Sequence, residues 1–129
     1  MEQGMRKPTP SELAILNVLW RYGPSTVRQI QERLADATSG YTTVLKLVQI
    51  MSAKGLVVRD ESQKAHVYSV CYAEEQTQRQ LVGDLMDRAF GGSAAKLVLQ
   101  ALSTKPATAE ELAEIRSLLQ TIEETPDAT

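Results

Sequence analysis

The sequence predicts a mainly α fold with one small β-hairpin, and three observations predict it. Three segments with helical apolar spacing come first. Two short runs rich in β-branched and aromatic residues follow, split by the polar stretch Glu61-Ser62-Gln63-Lys64. Three more helical segments complete the chain. Three helices and then a hairpin is the order of a winged helix-turn-helix, a helix-turn-helix elaborated by a β wing. The predicted organisation is a winged-helix domain over residues 1–72, a three-helix dimerisation domain over 73–124, and a flexible tail over 125–129.

The first helix opens on Thr9-Pro10-Ser11-Glu12, a capping box with proline at the first helical position. Leu13, Ile15, Leu16, Leu19 and Trp20 supply its apolar stripe, read as core. Gly23-Pro24 ends it, glycine accepting a left-handed cap and proline barring continuation. A second helix is expected from about Thr26 to Leu34, with Ser25 as N-cap and Val27, Ile30 and Leu34 on one face. Ala35 to Gly40 reads as a turn. The third helix, Tyr41 to Lys54, divides into two faces. Val44, Leu47, Val48 and Met51 share one direction. Thr42, Lys46, Gln49 and Ala53 oppose them, with Thr43 and Ser52 on the shoulders. An ordinary solvated face would carry more Glu and Lys. Gly55 stops the helix, and Leu56–Asp60 with Ala65–Val70 form the hairpin.

Beyond residue 73 the pattern is helical throughout. Leu81, Val82, Leu85, Met86, Ala89 and Phe90 mark one helix to about Phe90, broken by Gly91-Gly92. Ser93 to Leu102 is apolar almost all round, only Lys96 and Gln100 being polar within it. Thr108-Ala109-Glu110-Glu111 is a second capping box, opening a helix with Leu112, Ile115, Leu118, Leu119 and Ile122 on one face. A helix apolar on nearly every side must be covered on nearly every side. Two neighbours with one stripe each hardly supply that cover, and a second copy of the chain would. A homodimer is therefore expected, with Leu81, Leu85, Phe90, Leu97, Val98, Ala101, Leu112, Ile115 and Leu119 at its interface. The other arrangement packs this region onto its own winged helix.

The chain has 129 residues, 43% hydrophobic and 23% charged, with a formal net charge of −2. The charge is unevenly placed. Residues 1–72 carry nine Lys/Arg against six Asp/Glu, and residues 73–129 carry five against ten. The basic half suits a polyanion and the acidic half does not. No apolar run is long enough to span a bilayer, and no signal-peptide segment follows the polar N-terminus. The single cysteine, Cys71, leaves no internal disulfide and points to a reducing, cytoplasmic setting.

Several stretches resemble the BlaI/MecI/CopY family of bacterial repressors, the penicillinase-repressor type. They are Thr9-Pro10-Ser11-Glu12-Leu13 with Val18-Leu19-Trp20, Thr26-Val27-Arg28, Gly40-Tyr41-Thr42-Thr43-Val44-Leu45, Lys54-Gly55-Leu56-Val57 and Val67-Tyr68-Ser69. Phe90-Gly91-Gly92-Ser93, Glu110-Glu111-Leu112 and Ile115-Arg116 extend the match to about Ile122. The resemblance implies homodimers that occupy a two-fold-symmetric operator and block transcription. In the β-lactam branch it also implies a membrane sensor-metallopeptidase that triggers proteolysis in the dimerisation domain. The corresponding bond is Gln100–Ala101, where the family pattern has Asn-Phe. The cysteine-rich metal motif of the copper branch is missing from this sequence. At the wing tip, Ser62-Gln63-Lys64 stands where the family often has Asp-Gly-Arg.

A third helix of this kind fits the major groove of duplex DNA, N-terminal end first. Thr42, Thr43, Lys46 and Gln49 are the expected base contacts: threonine bonds a base or packs on a thymine methyl, and lysine donates to guanine. Ser25, Arg28, Tyr41 and Lys64 are the expected backbone contacts. Each has a plainer role open to it, such as an Arg28–Glu32 pair at i, i+4.

Catalysis is not expected. His66, the only histidine, falls in the wing with no partner spaced as a nucleophile–base pair. One Cys and one His cannot build a zinc site, and Gly91-Gly92 lacks the lysine and strand of a phosphate loop. No cofactor, metal or small-molecule substrate is expected. Cys71 reads as a small buried hydrophobe. Two other classes remain open: a winged-helix protein adaptor, and a ligand-responsive MarR-like regulator. The latter usually needs more helix before the winged helix than the eight residues ahead of Thr9 allow.

Overall fold

A computed structural model describes residues 6–35 and 39–125. Residues 36–38 of the turn expected at 35–40 and residues 126–129 of the tail expected at 125–129 lie outside them. The element order is α1 (Pro10–Tyr22), β1 (Ser25–Thr26), α2 (Val27–Arg33), α3 (Tyr41–Ala53), β2 (Val57–Asp60), β3 (Val67–Val70), α4 (Glu74–Ala89), α5 (Ala94–Thr104) and α6 (Ala109–Glu124). Six helices and a small antiparallel sheet make the fold mainly α, in winged-helix order. The chain divides into two compact units, Met1–Gly83 and Asp84–Thr129, the division falling inside α4.

The first unit has its own core. Ile15, Leu16, Val18 and Leu19 from α1 meet Val27 and Ile30 from α2, and Val44, Val48 and Met51 from α3. Leu56, Val57 and Tyr68 close it from the wing. The helices start where local chemistry supplies hydrogen-bond partners for their first amides. Thr9 Oγ1 accepts from the Glu12 amide at 3.2 Å, and Glu12 Oε1 accepts from the Thr9 amide at 2.9 Å. Replacing Thr9 by alanine is expected to cost about 1 kcal/mol, read as a lower urea midpoint with an unchanged slope. Gly23 ends α1 at φ +82°, a conformation that disfavours side chains.

Glu12 also accepts from Lys54 Nζ at 2.6 Å, and its side chain is 3% exposed. Burial pushes this carboxyl up. The Lys54 hydrogen bond, the Thr9 amide and the ammonium charge outweigh it and hold the group below its ordinary value. The pair ties the first turn of α1 to the C-cap of α3.

The sheet has three strands, in the order β1-β3-β2. The hairpin pairs Val57 with Val70 and Asp60 with Val67, and β1 adds Ser25 opposite Tyr68 and Thr26 opposite Val67. This third strand corrects the expected start of the second helix. Ser25 is extended and fully buried, and Thr26 is the N-cap, in a capping box with Gln29. Cys71 is also corrected. It is exposed, because it follows the last sheet residue and only its amide returns, to the Leu56 carbonyl at 3.0 Å. Partial burial of the sulfur raises the thiol pKa, so it stays protonated near neutrality.

In the second unit, α5 is capped by Ser93 and α6 by the Thr108/Glu111 capping box. Neither helix has a buried residue. Val98, Leu99, Leu102, Leu118, Leu119 and Ile122 are all exposed.

Candidate nucleic-acid interface

The interface is built on α3. Its inner residues Val44, Val48 and Met51 are fully buried, which fixes the rotation of the helix about its own axis. Thr42, Thr43, Lys46 and Gln49 are consequently all exposed. The helix starts at Gly40 with no side-chain cap, and no acidic residue lies in its first turn. Ile50 joins this surface at 42% exposure. It is not among the residues expected at the interface, although its spacing of four from Lys46 and seven from Thr43 places it on their side of the helix. An exposed branched apolar side chain beside two threonines and a lysine can pack on a thymine methyl.

A cleft of about 450 Å³ adjoins the N-terminal end of α3, between α2 and the wing. Arg28, Tyr41 and Lys64, the expected backbone contacts on three separate elements, all line it. The Arg28 guanidinium lies 5.3 Å from the centroid of the Tyr41 ring, within cation–π range. Stacking of this kind restrains a long side chain while leaving its N–H groups free for phosphate oxygens. Thr26 and His66 also line the cleft.

Ser25 does not belong to this set. Its hydroxyl donates to the Gly23 carbonyl at 2.8 Å and accepts from Arg33 at 3.2 Å, inside the protein. Pairing of β1 with β3 turns the residue inward, so its side chain offers nothing to a ligand.

The residues expected at a dimer interface are half-buried or exposed without exception. Leu81, Phe90, Leu97, Leu112 and Ile115 are half-buried, and Leu85, Val98, Ala101 and Leu119 are exposed. Gln100 and Ala101 are exposed in the middle of α5, with the Gln100 carbonyl accepting from the Thr104 hydroxyl at 2.7 Å. Among the described residues, no group of His, Cys, Asp and Glu is arranged to hold a metal ion. Nor, among the described residues, is any helix long and apolar enough to cross a membrane.

The penicillinase repressor family matches residues 8–121 of this chain. The chain belongs to the penicillinase repressor family. The transcriptional regulator BlaI of Mycobacterium tuberculosis is 31% identical over 90 residues, in both strain CDC 1551 / Oshkosh and strain H37Rv. The aligned stretch covers 68% of this chain and 65% of that regulator, just under two thirds of the relative's length. Among solved structures, the transcriptional regulator Tm0710 of Thermotoga maritima superposes with a TM-score of 0.50 at 17% identity, over 92% of this chain and 76% of that one. At that identity the likeness shows the fold alone. The penicillinase repressor match runs through α1 to α6, so it includes both the exposed face of α3 and the apolar helices of the second unit.

Proposed function

We propose that this protein is a homodimeric, sequence-specific DNA-binding repressor that occupies a palindromic operator. One observation carries the reading: the acid-free outer face of α3 is held outward by a fully buried inner face, with a basic cleft beside its N-terminus. In this reading Thr42, Thr43, Lys46, Gln49 and Ile50 meet base edges, while Arg28, Tyr41 and Lys64 grip the backbone. Dimerisation is supported by the second unit, whose apolar helices α5 and α6 have no fully buried residue and leave Val98, Leu99, Leu118, Leu119 and Ile122 exposed. Two heads on one dimer read two half-sites, spaced about 34–36 Å apart or a multiple of that. The setting proposed is the cytoplasm, with duplex DNA and a second copy of the chain as partners.

Release is proposed to act through α5. Cutting Gln100–Ala101, through the action of a membrane sensor-metallopeptidase, would divide the helix on which dimerisation rests. A cut chain should sediment as a monomer and lose its operator.

The test is footprinting on genomic fragments, followed by titration of the protected duplex. A protected site with dyad symmetry is expected. Lys46→Ala should weaken operator binding by about 1–3 kcal/mol while leaving random duplex little changed. Equal loss on both would make Lys46 a phosphate contact. The competing reading, a protein adaptor, predicts no duplex retention even at low salt. A DNA reader instead loses affinity steeply between about 50 and 200 mM salt.

A further inference from the structure

His66 sits at the end of the hairpin loop, one residue before β3, and its side chain is exposed on the wall of the basic cleft. Each element around the cleft contributes a side chain of known charge type. Arg28 comes from α2 and Tyr41 from α3. Lys64 comes from the hairpin loop, and the buried Tyr68 from β3. No lining residue is a carboxylate. The two acids of the hairpin are engaged elsewhere. Asp60 accepts from the Ser62 amide at 2.9 Å, and Glu61 pairs with Arg59 at 2.5 Å. The cleft is therefore an acid-free concavity with two permanent cations and one imidazole.

We propose that His66 is a phosphate-contacting residue of this cleft, and that its imidazolium form makes operator binding proton-coupled. The proposal rests on the DNA-binding reading given above. Histidine is the side chain whose charge changes between about pH 5 and 8. A phosphodiester beside an imidazole favours the charged form, so the complex takes up a proton. The sign follows. The added affinity is complete at the acid end of this range and is lost as pH rises through it. The response can be assigned cleanly, because the chain contains a single histidine and the Cys71 thiol is pushed up, away from this range.

The experiment is titration of the operator duplex with the full chain at pH 5.5 and 7.5, at matched ionic strength, for wild type, His66→Gln and His66→Lys. Wild type should bind about three- to tenfold tighter per head at pH 5.5, since one unit of pKa displacement on binding is worth tenfold. Its log–log salt slope should steepen by about 0.9 per head, the release expected for one more neutralised phosphate. His66→Gln should bind equally at both pH values, with the shallower slope. His66→Lys should hold the low-pH affinity and slope throughout. A pH response that persists in His66→Gln, or a flat wild type that still binds its operator, overturns this proposal and leaves DNA binding intact. Failure of wild type to bind any duplex at either pH overturns both readings.

Discussion

Leu119→Glu is expected to convert the protein to a monomer and to weaken operator binding by a factor of about 10²–10⁴. The first unit should stay folded. Leu119 is 54% exposed on α6, beside Leu118 at 59% and Ile122 at 53%. On α5, Val98 and Leu99 are 43% and 64% exposed. Isolated surface leucines are ordinary, but several large exposed apolar side chains on each of two successive helices are more than a single chain ordinarily leaves in water. A glutamate carboxylate carried into that patch would be desolvated without a partner, a cost that dimerisation cannot absorb. Binding falls because each head presents few cations: Arg28 and Lys64 in the cleft, and Lys46 on α3. On the proposed dimeric reading, one head alone gains little from counterion release, and tethering two heads raises the affinity. The core residues of the first unit all lie between Ile15 and Tyr68, which is why its fold should not depend on position 119. Sedimentation and duplex titration read the two effects separately. A Leu119→Glu protein that still sediments as a dimer, or a monomer that binds its operator at full strength, contradicts the tethering argument.

The parts of this molecule that were legible in the sequence are those governed by nearby residues. The capping boxes at Thr9 and Thr108, the glycine stop after α3 and the two faces of α3 all follow from spacings of seven residues or fewer, and the structure has each of them. Contacts set by distant chain segments were not legible. A two-residue strand has no alternation to detect, so β1 was absorbed into the start of a helix. With it, Ser25 was placed at the surface although it lies against β3. Cys71 follows a strand of buried and half-buried residues, which is why the sequence pattern predicts it buried with them. Its exposure depends on where the sheet ends. The convergence of Arg28, Tyr41, Lys64 and His66 on one cleft joins residues on three elements, and no local pattern announces it.

The Glu12–Lys54 pair is the clearest example, since its partners stand 42 residues apart, and it carries the other large expected effect. Lys54→Ala should destabilise the first unit by about 2–4 kcal/mol at pH 7, slightly under the cost of orphaning a fully buried ion, because the Lys54 side chain keeps 21% of its exposure. Glu12→Gln should cost less, because it removes the charge along with the partner and keeps a carbonyl for the Thr9 amide. In wild type the Glu12 carboxyl is held below its ordinary value of 4.5, so its contribution is present above that value and is lost as pH falls through the folded-state pKa. Removing Lys54 deletes the hydrogen bond and charge that hold it down, while burial continues to push it up. The Thr9 hydrogen bonds remain against burial, so the variant's carboxyl sits higher than in wild type and the variant should lose less stability than wild type as pH falls toward 4.5. Urea unfolding at pH 7 and 4.5 should therefore show the gap between the two proteins closing with acid. A gap of constant size would mean that the lost stability comes from packing of the lysine stem rather than from the orphaned charge. Because Lys54 caps the C-terminal end of α3, the same variant should also loosen that end of the helix against α1. Under the proposed DNA-binding reading, its effect on operator affinity should then exceed that of Glu12→Gln, since α3 can present its outer face only while its inner face remains seated on the core.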